Sequence, residues 1–345
     1  MPPGEFSSAF PDGGSAENAS RVKKRLIVHI GVHKTGSTSI QHTLFRNTGQ
    51  MADRGFLYPR FYAGRVNAVN HTSLAWEIEM NKLDHARLRN WAASLAQTDA
   101  HTVILSAEDF SRLKSLDFLD CFSDFFEAEV VIYLRRQDSW VSSWYNQHIK
   151  WPYVAKFARC TPSEFLRHLE DFYWINYFET VERWGAVVGK DHIHIRILEK
   201  GQIQDPIADL CDICGFDFEL QQELPHRANE SLPAAQLKIL RNLGMAQYPP
   251  GVRNKIIEAV MRVPVLPSKE VYPIPIRRMI LDRYKIGNYK LAEHYLGRKD
   301  GILFRESGFS DSPASAENNL EEDQLYCFAR NLIDVFSADA SHDAS

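Results

Sequence analysis

Four short apolar segments, interleaved with helical patterns, constrain the fold of this chain most. They occupy residues 25–30, 102–106, 129–134 and 192–197. The first three are nearly continuous runs of apolar residues, which is typical of strands buried on both faces, whereas the fourth alternates as a half-buried strand does. Strands that alternate with helices form a mostly parallel sheet covered on both sides. We therefore predict an α/β fold with a parallel sheet between two helical layers and extra helices in the C-terminal third.

The 345 residues suffice for one large domain with its own core, and the sequence divides accordingly. We predict a disordered N-terminal arm over 1–22, which is polar and rich in Gly, Ser and Pro, and a single α/β domain over 23–305. A linker over 306–320, a C-terminal helix over 321–337 and a disordered tail over 338–345 complete the prediction. In the C-terminal helix, apolar residues recur at helical spacing. We also predict an irregular segment over 51–70, one long helix over about 162–188, and a helix over about 139–150 that Asp138 caps.

Composition excludes several classes of protein. The net charge of −4 argues against a nucleic-acid-binding protein. No stretch reaches the roughly 18 apolar residues of a membrane span, and the N-terminus lacks the apolar core of a signal peptide. Five cysteines, an odd number, fit a reducing compartment. We predict a cytoplasmic protein, in which Cys211 and Cys214 are neighbours on a helix face; a redox role for this pair is the alternative.

The segment between the first strand and the first helix has the composition of an anion-binding loop. Residues 31–39 read GVHKTGSTS. Backbone N–H groups of such a turn converge on an anion, and the N-terminus of the following helix adds a partial positive charge. The predicted ligand-binding residues are Lys34, Thr35, Gly36, Ser37, Thr38 and Ser39. The nucleotide-binding pattern GxxxxGK[ST] is absent, because Lys34 precedes the second glycine instead of following it.

This loop closely resembles a motif of a known family. The segment KTGSTSIQ, which begins at Lys34, is similar to the 5′-phosphosulfate loop of the sulfotransferases, commonly PKSGTTW or KTGTTSL. The resemblance implies a P-loop-type fold and 3′-phosphoadenylyl sulfate as co-substrate. It also implies that Lys34 contacts the bridging oxygen or the 5′-phosphate as charge develops on the leaving group, a scheme that requires no metal.

A second motif of that family follows the third predicted strand. In sulfotransferases an arginine and a serine eight residues later hold the 3′-phosphate of the donor, and Arg135 and Ser143 have this spacing. A guanidinium can grip phosphate oxygens with two parallel hydrogen bonds. Arg136 and Ser142 are the alternatives. The chain departs from the family where the motif often has a proline two residues after the arginine, since Gln137 occupies that position.

The acceptor hydroxyl requires a general base, and two residues are candidates. Glu108 follows the second predicted strand, at the sheet edge where ligands of open α/β folds bind, and LSAEDF resembles the LSSE segment of bacterial sulfotransferase-like proteins. His71 is the second candidate, because an Asn-His segment recurs in similar proteins. His33 lies inside the loop and is predicted to shape it. No third ligand accompanies His192 and His194, so no metal site is predicted.

Two further segments resemble the family less specifically. Arg227, in RANESL, is similar to an RxNxSL segment that precedes a helix, so Arg227 is predicted to approach the 3′-phosphate. The segment NYKLAEHYLGRKDGILF, which begins at Asn288, resembles the family's C-terminal portion. The resemblance as a whole covers about residues 25–304.

The resemblance predicts a sulfotransferase of the bacterial carbohydrate type. Its acceptor would be a hydroxyl of a carbohydrate or glycoconjugate, with polysaccharides, lipid-linked sugars and small alcohols all open. One alternative is a small-molecule kinase that uses ATP and Mg²⁺, with Glu108 or Asp109 as a metal-binding carboxylate. Another is a non-catalytic nucleotide-binding protein.

Overall fold

The computed structural model describes residues 22–61, 69–199, 201–203, 205–221, 231–265, 271–305, 309 and 322–342. The predicted arm lies outside the described residues except for Val22, which is exposed. The predicted linker likewise lies outside them except for Phe309. Arg227, predicted to approach the 3′-phosphate, also lies outside the described residues.

The centre of the domain is a five-stranded sheet in which every pair of neighbouring strands is parallel. The strands follow the order β2-β3-β1-β4-β5 across the sheet. They are β1 (Lys24–His29), β2 (Phe56–Leu57), β3 (Thr102–Ser106), β4 (Phe126–Leu134) and β5 (Ile193–Ile197). The α/β class and the parallel sheet predicted from the sequence are thereby confirmed.

Helices cover both faces of the sheet and continue beyond it. Between β1 and β5 lie α1 (Ser37–Arg46), α2 (Thr48–Ala52), α3 (Thr72–Glu79), α4 (His85–Ala96), α5 (Asp120–Ser123), α6 (Gln137–Lys150), α7 (Pro162–Leu166) and α8 (Tyr177–Val188). After β5 come α9 (Pro206–Cys214), α10 (Ala234–Leu243), α11 (Pro250–Met261), α12 (Ile274–His294) and α13 (Glu322–His342). The predicted C-terminal helices are therefore present.

Alternation along the strands divides the core into two layers. On β1, Leu26 and Val28 belong to a large cluster that includes side chains of α4, α6 and α8. Ile27, between them, belongs to a smaller cluster with Ile40 of α1 and Leu210 of α9. Successive side chains of a strand point to opposite faces, so a strand that is apolar throughout is buried on both sides. This burial is why β1, β3 and the second half of β4 are nearly continuous apolar runs.

Strand order fixes the location of a potential ligand site. The chain leaves β1 toward β2 and β3 on one side and crosses to β4 on the other. The loops after β1, β3 and β4 therefore meet at the carboxyl edge of the sheet. In open α/β folds ligands bind in the crevice outside the carboxyl ends of the strands, at the point where the strand order reverses.

Four local predictions from the sequence were wrong in detail. The segment 51–70 was predicted to be irregular, but it contains the edge strand β2. Residues 162–188 form two helices and a 3-10 segment (Leu169–Ile175) instead of one helix. Asp138 does not cap α6; it is fully buried in the first turn between the guanidinium groups of Arg136 and Arg277. The last helix extends to His342, past its predicted end at 337.

Gly31, directly after β1, occupies a position where even an alanine should destabilise the fold. Its φ is 90°, and an added Cβ would lie 2.9 Å from both Cα and Cβ of Glu108. We expect Gly31→Ala to lower the free energy of unfolding by about 2–3 kcal/mol, through left-handed strain and steric overlap. Urea unfolding would measure this loss. Gly49→Ala is the control, because nothing lies within 4 Å of its added Cβ. A loss under 0.5 kcal/mol at Gly31 (roughly the surface value) would contradict the prediction.

Candidate anion-binding site

A cleft of about 350 Å³ opens at the carboxyl edge of the sheet, between the loops after β1, β3 and β4. Its volume is within the range of small-molecule sites. The wall is formed by side chains from these loops and from α1, α6 and the segment after α6: His33, Lys34, Gly36, Ser37, Thr38, Ser39, Glu108, Arg135, Ser143, Trp144, Gln147, Tyr153 and Ser231. The cleft thus brings together eight of the residues that the sequence predicted for the site.

The loop after β1 presents the N-terminus of α1 to this cleft. Gly36 precedes α1 in a left-handed conformation with φ of 88°, and no side chain caps the helix. The first turn contains no acidic residue. The first N–H groups of a helix have no partner within the helix and carry a partial positive charge. This arrangement can bind a phosphate or sulfate group.

Two hydrogen bonds to backbone carbonyls of the loop fix its conformation. The hydroxyl of Thr35 donates to the Val32 carbonyl at 2.5 Å, and Thr35 is buried. It is the one loop residue predicted to bind the ligand that does not line the cleft. Trp140 Nε1 of α6 donates to the His33 carbonyl at 2.7 Å. The His33 ring packs edge-on against Trp144, at 4.8 Å between ring centroids, and also lines the cleft.

Lys34 has both a strained backbone and a perturbed charge. Its φ is 65°, unusual for a residue with a side chain. The pKa of Lys34 is lowered to about 8, mainly by burial and in addition by the nearby Arg135, while Glu108 opposes the change. Nζ donates to Gln147 Oε1 on α6 at 3.2 Å. A cation held at such cost in a cleft is typical of a functional site.

Arg135 and Ser143 are the members of the second motif that reach the cleft. Arg135 Nη1 donates to the Lys34 carbonyl at 3.4 Å, although the two residues are 101 positions apart in the chain. Ser143 lies two turns into α6 and lines the same cleft. The alternatives face elsewhere: Arg136 pairs with Asp138 at 2.8 Å, and the Ser142 hydroxyl donates to the Asp138 carbonyl at 3.2 Å.

Glu108 enters the cleft from the loop after β3. Its Oε2 accepts a hydrogen bond of 2.7 Å from Gln41 Nε2 on α1. Next to it, Asp109 faces away toward His33 and Arg112, at 3.4 and 3.0 Å respectively. Burial would raise the pKa of Asp109, but the contacts with His33 and Arg112 hold it below its ordinary value. Of the two carboxylates, Glu108 is therefore the one available to a ligand.

His71 is not brought into the cleft. It is 1% exposed, and both ring nitrogens contact backbone. Nε2 donates to the Pro59 carbonyl at 2.8 Å, and Nδ1 accepts from the Ser106 N–H at 3.0 Å. Burial lowers its pKa to about 4, so the ring is neutral at pH 7. Neither nitrogen is left to take a proton from a ligand in the cleft, so of the two residues predicted as a base only Glu108 lines the cleft.

The sequence reasoning missed Gln147, which lines the cleft, and Gln41, which is buried behind its wall. Gln41 supports Glu108, Gln147 contacts Lys34, and the Tyr153 hydroxyl accepts from Gln147 Nε2 at 3.2 Å. Tyr153 also stacks on Trp144, with ring centroids 6.1 Å apart. Gln41 is the final residue of KTGSTSIQ, so its presence in that motif was the available signal. Gln147 could have been found as the residue one helical turn after Ser143.

Two properties concern the described residues alone. Across the described ranges, no set of three or more His, Cys, Asp or Glu side chains converges in a way that could hold a metal ion. Within the same residues, no helix combines the length and apolar character that a bilayer crossing requires. Cys211 and Cys214 are both on α9 as predicted, and all five cysteines of the chain are free.

Comparison with known proteins adds one distant relative. No protein-family model matches the chain. An uncharacterized protein of Archaeoglobus fulgidus is 24% identical over 212 residues, which are 59% of this chain and 56% of that protein. The chain therefore spans little more than half of its relative's length. The fold and the cleft, and not a named relative, support a function.

Proposed function

We propose that the protein is a sulfotransferase that moves a sulfuryl group from 3′-phosphoadenylyl sulfate to an acceptor hydroxyl. The observation that carries this proposal is the convergence of both predicted donor motifs in one cleft. The Lys34 loop and the Arg135–Ser143 pair come from different loops, yet they line the same cavity with Arg135 Nη1 3.4 Å from the Lys34 carbonyl. A ligand with two separate phosphate groups matches two separate cationic subsites.

Each subsite supports one part of the donor. The loop amides and the hydroxyls of Ser37, Thr38 and Ser39 would bind the 5′-phosphosulfate at the N-terminus of α1. Arg135 and Ser143 would bind the 3′-phosphate. The donor set consists of N–H groups, hydroxyls and cations, which fits anionic oxygens.

The transfer would need charge stabilisation at one end and proton removal at the other. The acceptor oxygen forms a bond to sulfur while the bond from sulfur to the bridging oxygen breaks, leaving 3′,5′-adenosine bisphosphate. Lys34 would stabilise the negative charge on that bridging oxygen. Glu108, on the opposite loop, would take the proton of the acceptor hydroxyl. Positioning and electrostatics then supply the catalysis, as in phosphoryl transfer.

The acceptor that we propose is a hydroxyl of a carbohydrate or glycoconjugate, by analogy with the family that the motifs resemble. Trp144 and Tyr153 give the cleft an aromatic wall next to Glu108. Faces of aromatic rings can pack against the apolar faces of sugar rings. We propose a cytoplasmic location, where free cysteines persist under reducing conditions.

Calorimetric titration with 3′,5′-adenosine bisphosphate, ADP and ATP, each with and without Mg²⁺, tests the proposal. We expect the bisphosphate to bind most tightly, and Mg²⁺ to leave its affinity unchanged. Tighter binding of ATP with Mg²⁺ would contradict the proposal and favour the kinase. Tight binding of the bisphosphate, with no turnover of 3′-phosphoadenylyl sulfate on any of a panel of sugars and alcohols, would favour a non-catalytic protein.

The rate of transfer should fall in alkaline solution because Lys34 must carry its charge. Its pKa of about 8 in the folded protein means that Lys34 loses its proton as the pH rises through 8. We expect kcat/KM to decrease about tenfold per pH unit above that value, since this parameter reports groups of the free enzyme. Initial rates between pH 6 and 10 would measure it.

Lys34→Arg is the control for this alkaline decrease. Arginine keeps its charge to far higher pH, so the alkaline decrease should disappear in the variant even where the rate itself is lower. A wild-type profile that stays flat to about pH 9.5 would contradict the role given to Lys34.

A further inference from the structure

A chain of hydrogen bonds runs from the first turn of α3 to the carboxylate in the cleft. The Thr72 N–H donates to Asn70 Oδ1 at 3.3 Å. Asn70 Nδ2 donates to Gln41 Oε1 at 3.1 Å. Gln41 Nε2 donates to Glu108 Oε2 at 2.7 Å. Asn70, Gln41 and Glu108 belong to different parts of the sequence, and the tertiary structure brings them together.

The direction of this chain is fixed by its first member. A backbone N–H can only donate, so the oxygen of the Asn70 amide must face Thr72 and its nitrogen must face Gln41. Because the Asn70 nitrogen donates, the Gln41 oxygen must face Asn70, and the Gln41 nitrogen must then face Glu108. The last member must therefore accept, which an ionised carboxylate does best. Gln41 is 2% exposed, so solvent offers it little competition.

His71 holds the start of this chain in place. The backbone N–H of His71 donates to the Ser106 carbonyl at 2.9 Å. Its ring forms hydrogen bonds with the Pro59 carbonyl and the Ser106 N–H, as described above. These bonds fix the segment that carries Asn70 to the carboxyl end of β3, two residues before Glu108. The Asn-His segment therefore acts on the cleft through Asn70, although the His71 ring itself lies outside it.

We propose that Gln41 and Asn70 are positioning residues that hold the Glu108 carboxylate in one orientation for proton removal. This inference rests on the proposed function. The bond from Gln41 engages Oε2, and within the described part of the chain no hydrogen bond to Oε1 is present. Oε1 is then the oxygen that faces the acceptor hydroxyl. Supporting hydrogen bonds of this kind fix the geometry on which a general base depends.

The test replaces each amide with a group of similar size that cannot serve in the chain. Gln41→Leu removes the donor to Glu108. Asn70→Asp keeps the shape but offers only acceptors, so the Gln41 amide would turn its oxygen toward the Glu108 carboxylate. We expect each change to lower kcat about 10- to 100-fold, a loss typical of outer supporting residues. The reaction is followed as release of 3′,5′-adenosine bisphosphate with the fastest acceptor among water, monosaccharides and simple alcohols.

Two further measurements separate positioning from loss of structure. The affinity for 3′,5′-adenosine bisphosphate should stay within about threefold of wild type, because the donor subsites are untouched. In a double-mutant cycle, Gln41→Leu should add less than about twofold to the loss caused by Glu108→Gln.

Gln236→Leu is the matched control. Gln236 lies on α10, is 5% exposed and does not line the cleft. Its Nε2 donates to the Val263 carbonyl at 3.0 Å. We expect it to lower the urea midpoint as Gln41→Leu does while leaving the transfer rate at the wild-type value.

Wild-type turnover in both Gln41→Leu and Asn70→Asp would overturn the inference and leave the proposed function standing. So would a loss that adds in full to that of Glu108→Gln, since Gln41 would then act independently of Glu108. Failure of the wild-type protein to bind 3′,5′-adenosine bisphosphate would overturn the proposed function itself, and this inference with it.

Discussion

Replacement of Lys34 by methionine is expected to abolish sulfuryl transfer and at the same time to stabilise the protein. The first effect follows from the loss of the only charge that the loop after β1 contributes to the leaving group, and we expect a decrease of about 10³-fold in kcat. The second follows from burial, which makes the ammonium costly in the folded state. Initial rates and urea unfolding measure the two effects on the same preparation.

The sign of the stability change follows from the pKa of Lys34. In the folded protein it is lowered from 10.5 to about 8, so below pH 8 the charged side chain destabilises the fold. One pKa unit corresponds to about 1.4 kcal/mol, so the difference between 10.5 and about 8 gives a gain on the order of 3–4 kcal/mol for Lys34→Met at pH 6–7. The gain should shrink as the pH rises from 8 toward 10.5, where wild-type Lys34 is neutral in the folded state.

Lys285→Met provides the control for this prediction. Lys285 is exposed on α12, so its replacement should change stability by less than about 0.5 kcal/mol and leave transfer intact. A Lys34→Met protein that is less stable than wild type at pH 6–7 would show that the ammonium is favourably held. Retention of a tenth or more of the transfer rate would show that Lys34 does not serve the leaving group.

Replacement of Arg135 by alanine is expected to remove recognition of the 3′-phosphate. We expect the Kd for 3′,5′-adenosine bisphosphate to rise about 10²- to 10³-fold, which corresponds to about 3–4 kcal/mol. Adenosine 5′-monophosphate lacks the 3′-phosphate, so its affinity should change less than about threefold. Wild-type protein should prefer the bisphosphate strongly, whereas Arg135→Ala should prefer it by no more than about tenfold, the part that Ser143 contributes. Calorimetry with both ligands measures this difference.

Two variants calibrate the Arg135 result. Ser143→Ala removes one neutral hydrogen bond and should cost the bisphosphate about tenfold in affinity. Arg262→Ala removes an exposed arginine that pairs with Glu258 on α11, and it should have no effect on either ligand. If Arg135→Ala still prefers the bisphosphate by about 10²-fold or more, another cation binds the 3′-phosphate, and the correspondence with the second sulfotransferase motif is wrong.

Much of the fold could be read from the sequence because buried strands have a simple signature. The segments around Leu26, Val103 and Val130 are apolar on both faces, and helical patterns intervene, so a parallel sheet was predictable. The edge strand Phe56–Leu57 was missed, since two residues cannot show a period. The local sequence predicts Asp138 as a helix cap, and this prediction is wrong because its partner Arg277 is 139 residues away, farther than any local pattern extends.

The candidate site was predictable where its residues belong to a contiguous motif. The loop of Lys34 and the spacing of Arg135 and Ser143 are local features, and all three side chains line the cleft. His71 shows the opposite case. A histidine after an asparagine suggested a base, but whether its ring faces a cleft or a backbone depends on Pro59 and Ser106, which the local sequence does not reveal.

The sequence by itself determined the parallel α/β architecture and the prediction of an anion-binding loop after β1. Both follow from patterns within about 20 residues, since strand burial and turn chemistry are local properties. Only the tertiary structure decided that Arg135 and not Arg136 faces the cleft, that Glu108 and not His71 is available there, and that Gln41 supports it. Those outcomes depend on contacts between residues far apart in the chain, which form only when the sheet order brings its carboxyl-edge loops together.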